Sequence, residues 1–181
     1  MMKFAFTGPE STGKTTVSQE VAHLTPDSRW FPEIVRLYLE ATKSSRVSLQ
    51  EFIEICEKSF DLFSLPTDQT AIFDTDMYVL HLWNKKEFNI SLPIIDLCCE
   101  TPFDHHFLCK PDFPWVADSL RYGGSEEDRN NLFEEYVETL EAFKAPYTIL
   151  DGSLNSRIEK ARTIIASILH QEGQKNPDRI G

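Results

Sequence analysis

The segment Gly8-Pro9-Glu10-Ser11-Thr12-Gly13-Lys14-Thr15 constrains this chain more than any other, because it fits G-x-x-x-x-G-K-[ST] in full. Before it, Met2 to Thr7 has the length and apolarity of a buried strand. After it, Val17, Val21 and Leu24 stand at i, i+4 and i+7, the spacing of one helical face. Strand, glycine loop and helix in that order build a phosphate cradle. Glycines let backbone N–H groups turn inward, and the first helical turn adds unpaired donors and the positive end of its dipole. In such a loop Lys14 reaches the β- and γ-phosphates, while the Thr15 hydroxyl sits on Mg²⁺. Gly8, Glu10, Ser11, Thr12, Gly13 and Thr16 are expected to contact the same polyphosphate. A chance glycine-rich turn holding a lysine would explain neither flank. The pattern implies a nucleoside triphosphate ligand, with ATP and Mg²⁺ as the expected pair.

The 181 residues are those of one domain with a single sizeable core. We expect a phosphate-loop (P-loop) kinase-like domain over 1–171. The stretch 172–181 has few apolar anchors and is expected to fray. Hydrophobic content of 41% and charged content of 26% suit a soluble globular protein. No apolar run reaches membrane length and no cleavable leader is evident, so a cytoplasmic location without membrane contact is expected. A formal net charge of −11 argues against nucleic acid as partner, since binding a phosphate backbone needs a basic face. One nucleotide is still compatible, because Lys14, Mg²⁺ and a few arginines can dominate locally. Cys56, Cys98, Cys99 and Cys109 form no C-x-x-C pair and no zinc spacing, and read as reduced thiols.

Strand and helix patterns alternate along the chain, which favours a three-layer α/β fold of the P-loop NTPase kind. It would have a five-stranded, mostly parallel sheet, helices on both faces and an arginine-bearing lid. Strands are expected near 2–7, 28–31, 70–73, 106–109 and 147–150. Helices are expected to Leu24, over 32–42, 48–65, 76–86, 91–100 and 125–143, and from Ser153 to about His170. The helix after Ser48 carries an apolar stripe of Leu49, Phe52, Ile53, Cys56, Phe60 and Phe63, and Ser48 with Glu51 makes a capping box.

Three further places bear on the chemistry. Asp74-Thr75-Asp76 follows the most apolar strand, and a carboxylate at the carboxyl end of a core strand faces the ligand crevice. Asp74 there suits the Mg²⁺ shell, against a plain strand end; Asp76 suits either a helix cap or a substrate contact. In Pro32-Glu33-Ile34-Val35-Arg36, Glu33 and Arg36 share a face if both lie on one helical turn. Glu33 could then bind an acceptor hydroxyl and take its proton, with Arg36 binding the sugar or steadying the carboxylate. The alternative is an exposed ion pair. The segment from Trp115 to Arg129 holds Gly123-Gly124 as a hinge and two arginines in an acidic chain. A lid could bring Arg121 onto the transferring phosphoryl group, where charge spreads in the transition state. Arg129 could join it on the nucleotide or merely pair with Glu126 or Glu127. The histidines offer little, His105 and His106 pointing to opposite faces of one strand. Trp30, Tyr78 and Trp83 read as core or rim packing rather than ring stacking on a ligand.

Taken in order, the phosphate loop, Pro32-Glu33 with Arg36, Asp74-Thr75-Asp76, and Pro114-Trp115-Val116-Ala117-Asp118-Ser119-Leu120-Arg121 with Asp128-Arg129 resemble the ribosylnicotinamide kinase domain family. The resemblance runs from about residue 3 to 170. It implies an ATP- and Mg²⁺-dependent kinase acting on the ribose 5′-hydroxyl of nicotinamide riboside, a small-molecule acceptor. It also implies Lys14, Glu33 and Arg121 as catalytic, and Asn155, after the last strand, at the adenine rim. The phosphate-handling residues match the family well. Around the acceptor base the match departs: Ile34, Val35 and Leu37 stand where the family carries more aromatics, and Pro32 where some members have tryptophan. A kinase for another nucleoside or sugar, or a regulatory ATPase, therefore stands beside the leading reading.

Overall fold

The computed structural model describes residues 2–43, 46–99, 103–114 and 125–175. Five strands form one sheet: β1 (Lys3–Thr7), β2 (Ser28–Phe31), β3 (Thr70–Asp74), β4 (His105–Cys109) and β5 (Tyr147–Leu150). Their order is β2-β3-β1-β4-β5, and all four pairings are parallel. The sequence pattern allowed a mostly parallel sheet; every neighbour in the described sheet runs the same way. Parallel pairing demands a crossover between strands, and the helices supply it. They are α1 (Lys14–Leu24), α2 (Ile34–Thr42), α3 (Leu49–Ser64), α4 (Met77–Trp83), α5 (Pro93–Cys99), α6 (Glu126–Ala142) and α7 (Leu154–Lys175).

Alternation along β1 splits the core in two. Phe4 and Phe6 point to one face, where they meet Val17 and Val21 of α1 and Ile158, Ala161 and Ile165 of α7. Ala5 points to the other, packing with Phe73, with Phe52, Ile55, Cys56 and Phe63 of α3, and with Phe133, Tyr136 and Leu140 of α6. Sheet and two helical layers make the three-layer sandwich. Because β1 lies between β3 and β4, the chain departs to opposite sides from the sheet centre, and a crevice opens at the carboxyl ends of these strands.

Four element-level expectations shift. Helix α2 starts at Ile34 rather than Pro32, with Glu33 as its N-cap in extended backbone. The buried stripe of α3 runs through Phe52, Ile55, Cys56, Ser59 and Phe63, and Leu49 is exposed, since the capping box places that residue in the first turn at the rim. Helix α4 gives way after Trp83 to a π-helical turn, Asn84–Phe88, whose Phe88 ring packs on Phe52. Helix α7 runs through Glu172 to Lys175, past the expected end, as Leu169 reaches the core and Gln174 hydrogen-bonds His170 one turn back. Residues 176–181 of the expected tail lie outside the described residues. No helix among the described residues is long and apolar enough to cross a membrane.

Candidate nucleotide site

The loop between β1 and α1 has the backbone a phosphate cradle requires. Gly8 and Gly13 take φ of 127° and 78°, and Ser11 also lies in the left-handed region at 54°. Glycine is needed at both ends for space as well as torsion. A Cβ on Gly8 would sit 2.7 Å from the Cys109 carbonyl oxygen, and one on Gly13 would sit 2.9 Å from the Phe113 ring. Gly13 is the N-cap of α1 and has no side chain to cap it, so the first N–H groups of the helix remain for a ligand. The Thr12 hydroxyl donates to the Pro9 carbonyl at 2.8 Å and braces the loop from within.

Lys14 is buried, and its ammonium donates to the Gly8 and Pro9 carbonyls at 2.8 and 2.7 Å, so it arches back over the loop. The Thr15 hydroxyl donates to Asp74 Oδ2 at 2.7 Å. Asp74 ends β3 in register with Phe6, beside the start of the loop. These oxygens fit Mg²⁺, which takes one or two protein oxygens, phosphate oxygens and water instead of a full protein cage. Among the described residues no group of three or more His, Cys, Asp or Glu side chains that could hold a metal ion occurs. Glu10 is part-exposed beside the cradle, and Thr16 faces solvent in the first turn of α1.

Glu33 follows β2 by two residues and Asp74 closes β3, and Phe31 pairs with Phe73 in register. Both carboxylates therefore leave the same edge of adjacent strands. Glu33 is only 4% exposed. Glu33 is the extended N-cap of α2, and Arg36 stands three residues on in the first turn, where it pairs with Glu40 at 3.0 Å.

Asp76 resolves toward its capping alternative. It is 1% exposed and N-caps α4. Its Oδ1 accepts from the Tyr78 amide at 3.0 Å and the Thr7 hydroxyl at 3.1 Å, and its Oδ2 lies 2.9 Å from His106 Nδ1. Both of its carboxylate oxygens are thus engaged within the protein. The residue between, Thr75, holds φ 79° and donates its N–H to the Phe6 carbonyl, which turns the chain sharply from strand to helix.

Arg129 lies in the first turn of α6, under a capping box of Ser125 with Asp128. It does not lie along the helix surface with Glu126 or Glu127. It is buried, and its guanidinium turns inward to the Phe113 carbonyl at 3.3 Å and the Ser11 carbonyl at 3.5 Å, with Nε–H lacking a hydrogen-bond partner. Arg121 and the Gly123-Gly124 hinge lie outside the described residues, as do positions 115–120. Asn155 is exposed at the start of α7.

Sequence reasoning missed two groups here. The buried His106–Asp76–Thr7 chain was foreshadowed only by strand alternation, which turned His106 inward. Arg157, Asp112 and Phe113 had no local signal at all. Arg157 is 0% exposed, with its guanidinium 4.2 Å over the Phe113 ring. Beneath the loop, burial pushes the Cys109 thiol up to about 11, so it stays protonated and unreactive. Trp30 donates to Ser18, Trp83 packs edge-on to Phe52, and Tyr78 is buried, in keeping with core roles.

Comparison with known proteins agrees with this arrangement. The trifunctional NAD biosynthesis/regulator protein NadR of Escherichia coli (strain K12) is 30% identical over 145 residues. That match covers 76% of this chain and 35% of NadR, so the chain spans about a third of that relative. Crystal structures of NadR superimpose with TM-scores of 0.69 (with NAD and AMP-PNP, 19% identity) and 0.66 (with NR, 20% identity). Each covers 92% of this chain, and 49% and 51% of theirs. A deoxyadenosine kinase from M. mycoides, with products dCMP and dCDP, gives 0.62 at 18% identity, covering 92% of this chain and all of that one. These superpositions establish a P-loop kinase-like fold. The AAA domain family profile matches residues 3–157, from the first residue of β1 to the first turn of α7, and the chain belongs to that family, with homology to NadR.

Proposed function

We propose that this chain is an ATP-dependent small-molecule kinase that phosphorylates the ribose 5′-hydroxyl of nicotinamide riboside. The observation that carries the reading is the convergence of Lys14, the Thr15–Asp74 pair and Glu33 on one edge of the sheet. The likeness to NadR, crystallised with AMP-PNP and with NR, supports donor and acceptor.

In this reading the backbone N–H groups of Gly8 and of Glu10 to Thr16, with the Lys14 ammonium, bind the β- and γ-phosphates. Thr15 and Asp74 would hold Mg²⁺, which supplies charge neutralisation at the phosphate oxygens when bound. Glu33 receives the acceptor hydroxyl as a hydrogen-bond donor and takes its proton at a carboxylate oxygen. The acceptor oxygen forms its bond to the γ-phosphorus as the bridging P–O bond breaks, and ADP leaves with that electron pair. Arg36 helps bind the acceptor. Arg121 closes over the γ-phosphoryl group, and Arg129 adds positive charge beside Ser11. Asn155 lies at the adenine rim.

One observation favours a second reading, a kinase for another nucleoside. Ile34 and Val35, packed on the core beside Glu33, leave fewer aromatic surfaces for a nicotinamide ring than the resemblance implies. The test is ADP release from ATP across a nucleoside panel including nicotinamide riboside and uridine. Release stimulated by nicotinamide riboside, with nicotinamide mononucleotide as product, is expected. Stimulation by a different nucleoside alone would favour the second reading. Slow release indifferent to every acceptor would mean a regulatory ATPase.

A further inference from the structure

Arg157 has no place in the chemistry above, yet it is the most completely enclosed charge in the described protein, and its donors reach three separate stretches of chain. Nε–H donates to the Gly152 carbonyl at 3.1 Å, in the turn after β5. Nη1 donates to the Thr12 carbonyl at 3.0 Å, in the phosphate loop. Nη2 donates to the Lys110 carbonyl at 3.1 Å and to the Asp112 carboxylate, both after β4. The same Asp112 accepts the Gly152 amide at 2.8 Å through its other oxygen. Both backbone polar groups of Gly152 are thus held by this one ion pair. The Phe113 ring beneath the guanidinium is also the ring that closes on Gly13.

A buried cation is costly unless each donor is met, and here the loops meet them. The planar fork matters as much as the charge, because its rigid donor geometry fixes the acceptors relative to one another, which a lysine ammonium cannot do. The phosphate loop also has internal braces that do not pass through Arg157, Thr12 to Pro9 and Lys14 to Gly8 and Pro9. The turn after β5 is tied to that loop through this guanidinium.

We infer that Arg157, with Asp112, is a positioning residue that sets the spacing between the phosphate loop and the Gly152 turn, so that one nucleotide can engage both. This rests on the nucleotide reading of the loop and goes beyond it. A ligand that spans both loops should feel the loss of Arg157 more than a ligand held by the phosphate loop alone. ATP and inorganic tripolyphosphate make that comparison, with Mg²⁺ present, by displacement of a fluorescent ATP analogue from the full chain.

For Arg157→Lys we expect ATP affinity to fall about tenfold and tripolyphosphate affinity less than threefold, with a cooperative melt retained. Asp112→Asn, which keeps an acceptor for the Gly152 amide but removes the ion pair, should show the same split more weakly. It stands in if the lysine variant does not fold. Equal weakening of both ligands would reduce Arg157 to a general stabiliser and overturn the inference, as would unchanged binding of both. Wild-type protein that binds neither ligand would overturn the nucleotide reading itself and this inference with it.

Discussion

At the scale of single residues, the proposed chemistry turns on a few atoms at the carboxyl edge of the sheet. Lys14→Met removes the one ammonium inside the phosphate loop while keeping an apolar stem of similar length. It should cut phosphoryl transfer at least a hundredfold, in the range typical for losing a preorganised transition-state contact. Circular dichroism should show the fold retained. Glu33→Gln keeps size and hydrogen bonding but cannot take a proton, so kcat should fall about 10²- to 10⁴-fold with acceptor KM little changed. Full turnover in that variant would remove the assigned base. Gly13→Ala forces a side chain into left-handed backbone and against the Phe113 ring, and should cost roughly 1–3 kcal/mol in denaturant unfolding. The phosphate loop was legible because its chemistry is local, eight consecutive residues with fixed spacing. Arg157 was not, because its partners come from residues 12, 110, 112 and 152 and meet only in three dimensions. Asp76 left two readings open for the same reason. His106, the partner that encloses it, lies 30 residues away.

Among the elements, those with strong periodicity and caps were read correctly from sequence, and their ends decided the rest. Helix α3 is fixed by the reciprocal bonds of Ser48 and Glu51, with the Glu51 carboxylate reaching the Ser48 amide at 2.7 Å. Those bonds, from the serine hydroxyl first, hold the Glu51 carboxyl below its ordinary range. Ser48→Ala should lower stability by about 1 kcal/mol in urea melts. No change would mean that tertiary packing alone places the helix. Helix α2 shows the opposite case. Pro32 and a run of apolar residues suggest a helix from the first of them, but the helix starts two residues later at Ile34, with Glu33 as its extended N-cap. The π-helical turn after α4 was invisible to a 3.6-residue pattern, since an inserted residue looks like ordinary helix in sequence.

For the whole molecule, strand order was the least legible property. Five strand segments were evident, but the sequence does not say that β1 lies between β3 and β4, the arrangement that opens the crevice at the phosphate loop. The charge pattern gains meaning at the same scale. A chain of net charge −11 gathers the buried cations Lys14, Arg129 and Arg157 around one loop, a local positive field suited to a polyphosphate. Burial also makes the fold sensitive to acid. His105, half enclosed beside Thr148, is pushed down to about 4 by burial and then by neighbouring His106, so it stays neutral when folded. Unfolded, it takes up a proton near its ordinary value of about 6.5. Its contribution is complete above that value and is lost as pH falls from about 6.5 toward about 4. Thermal melts of His105→Asn should therefore show a shallower acid slope than the wild type across that window; parallel slopes would contradict it.

In the proposed function the Gly8–Thr15 loop grips a nucleoside triphosphate through its amides and Lys14. Titration calorimetry of ATP with Mg²⁺ into the wild-type chain and the Lys14→Met variant tests it most directly. Saturable one-to-one binding by the wild type, weakened at least tenfold in the variant, is the predicted result. No heat from the wild type at millimolar ATP, or equal binding by both proteins, would contradict it.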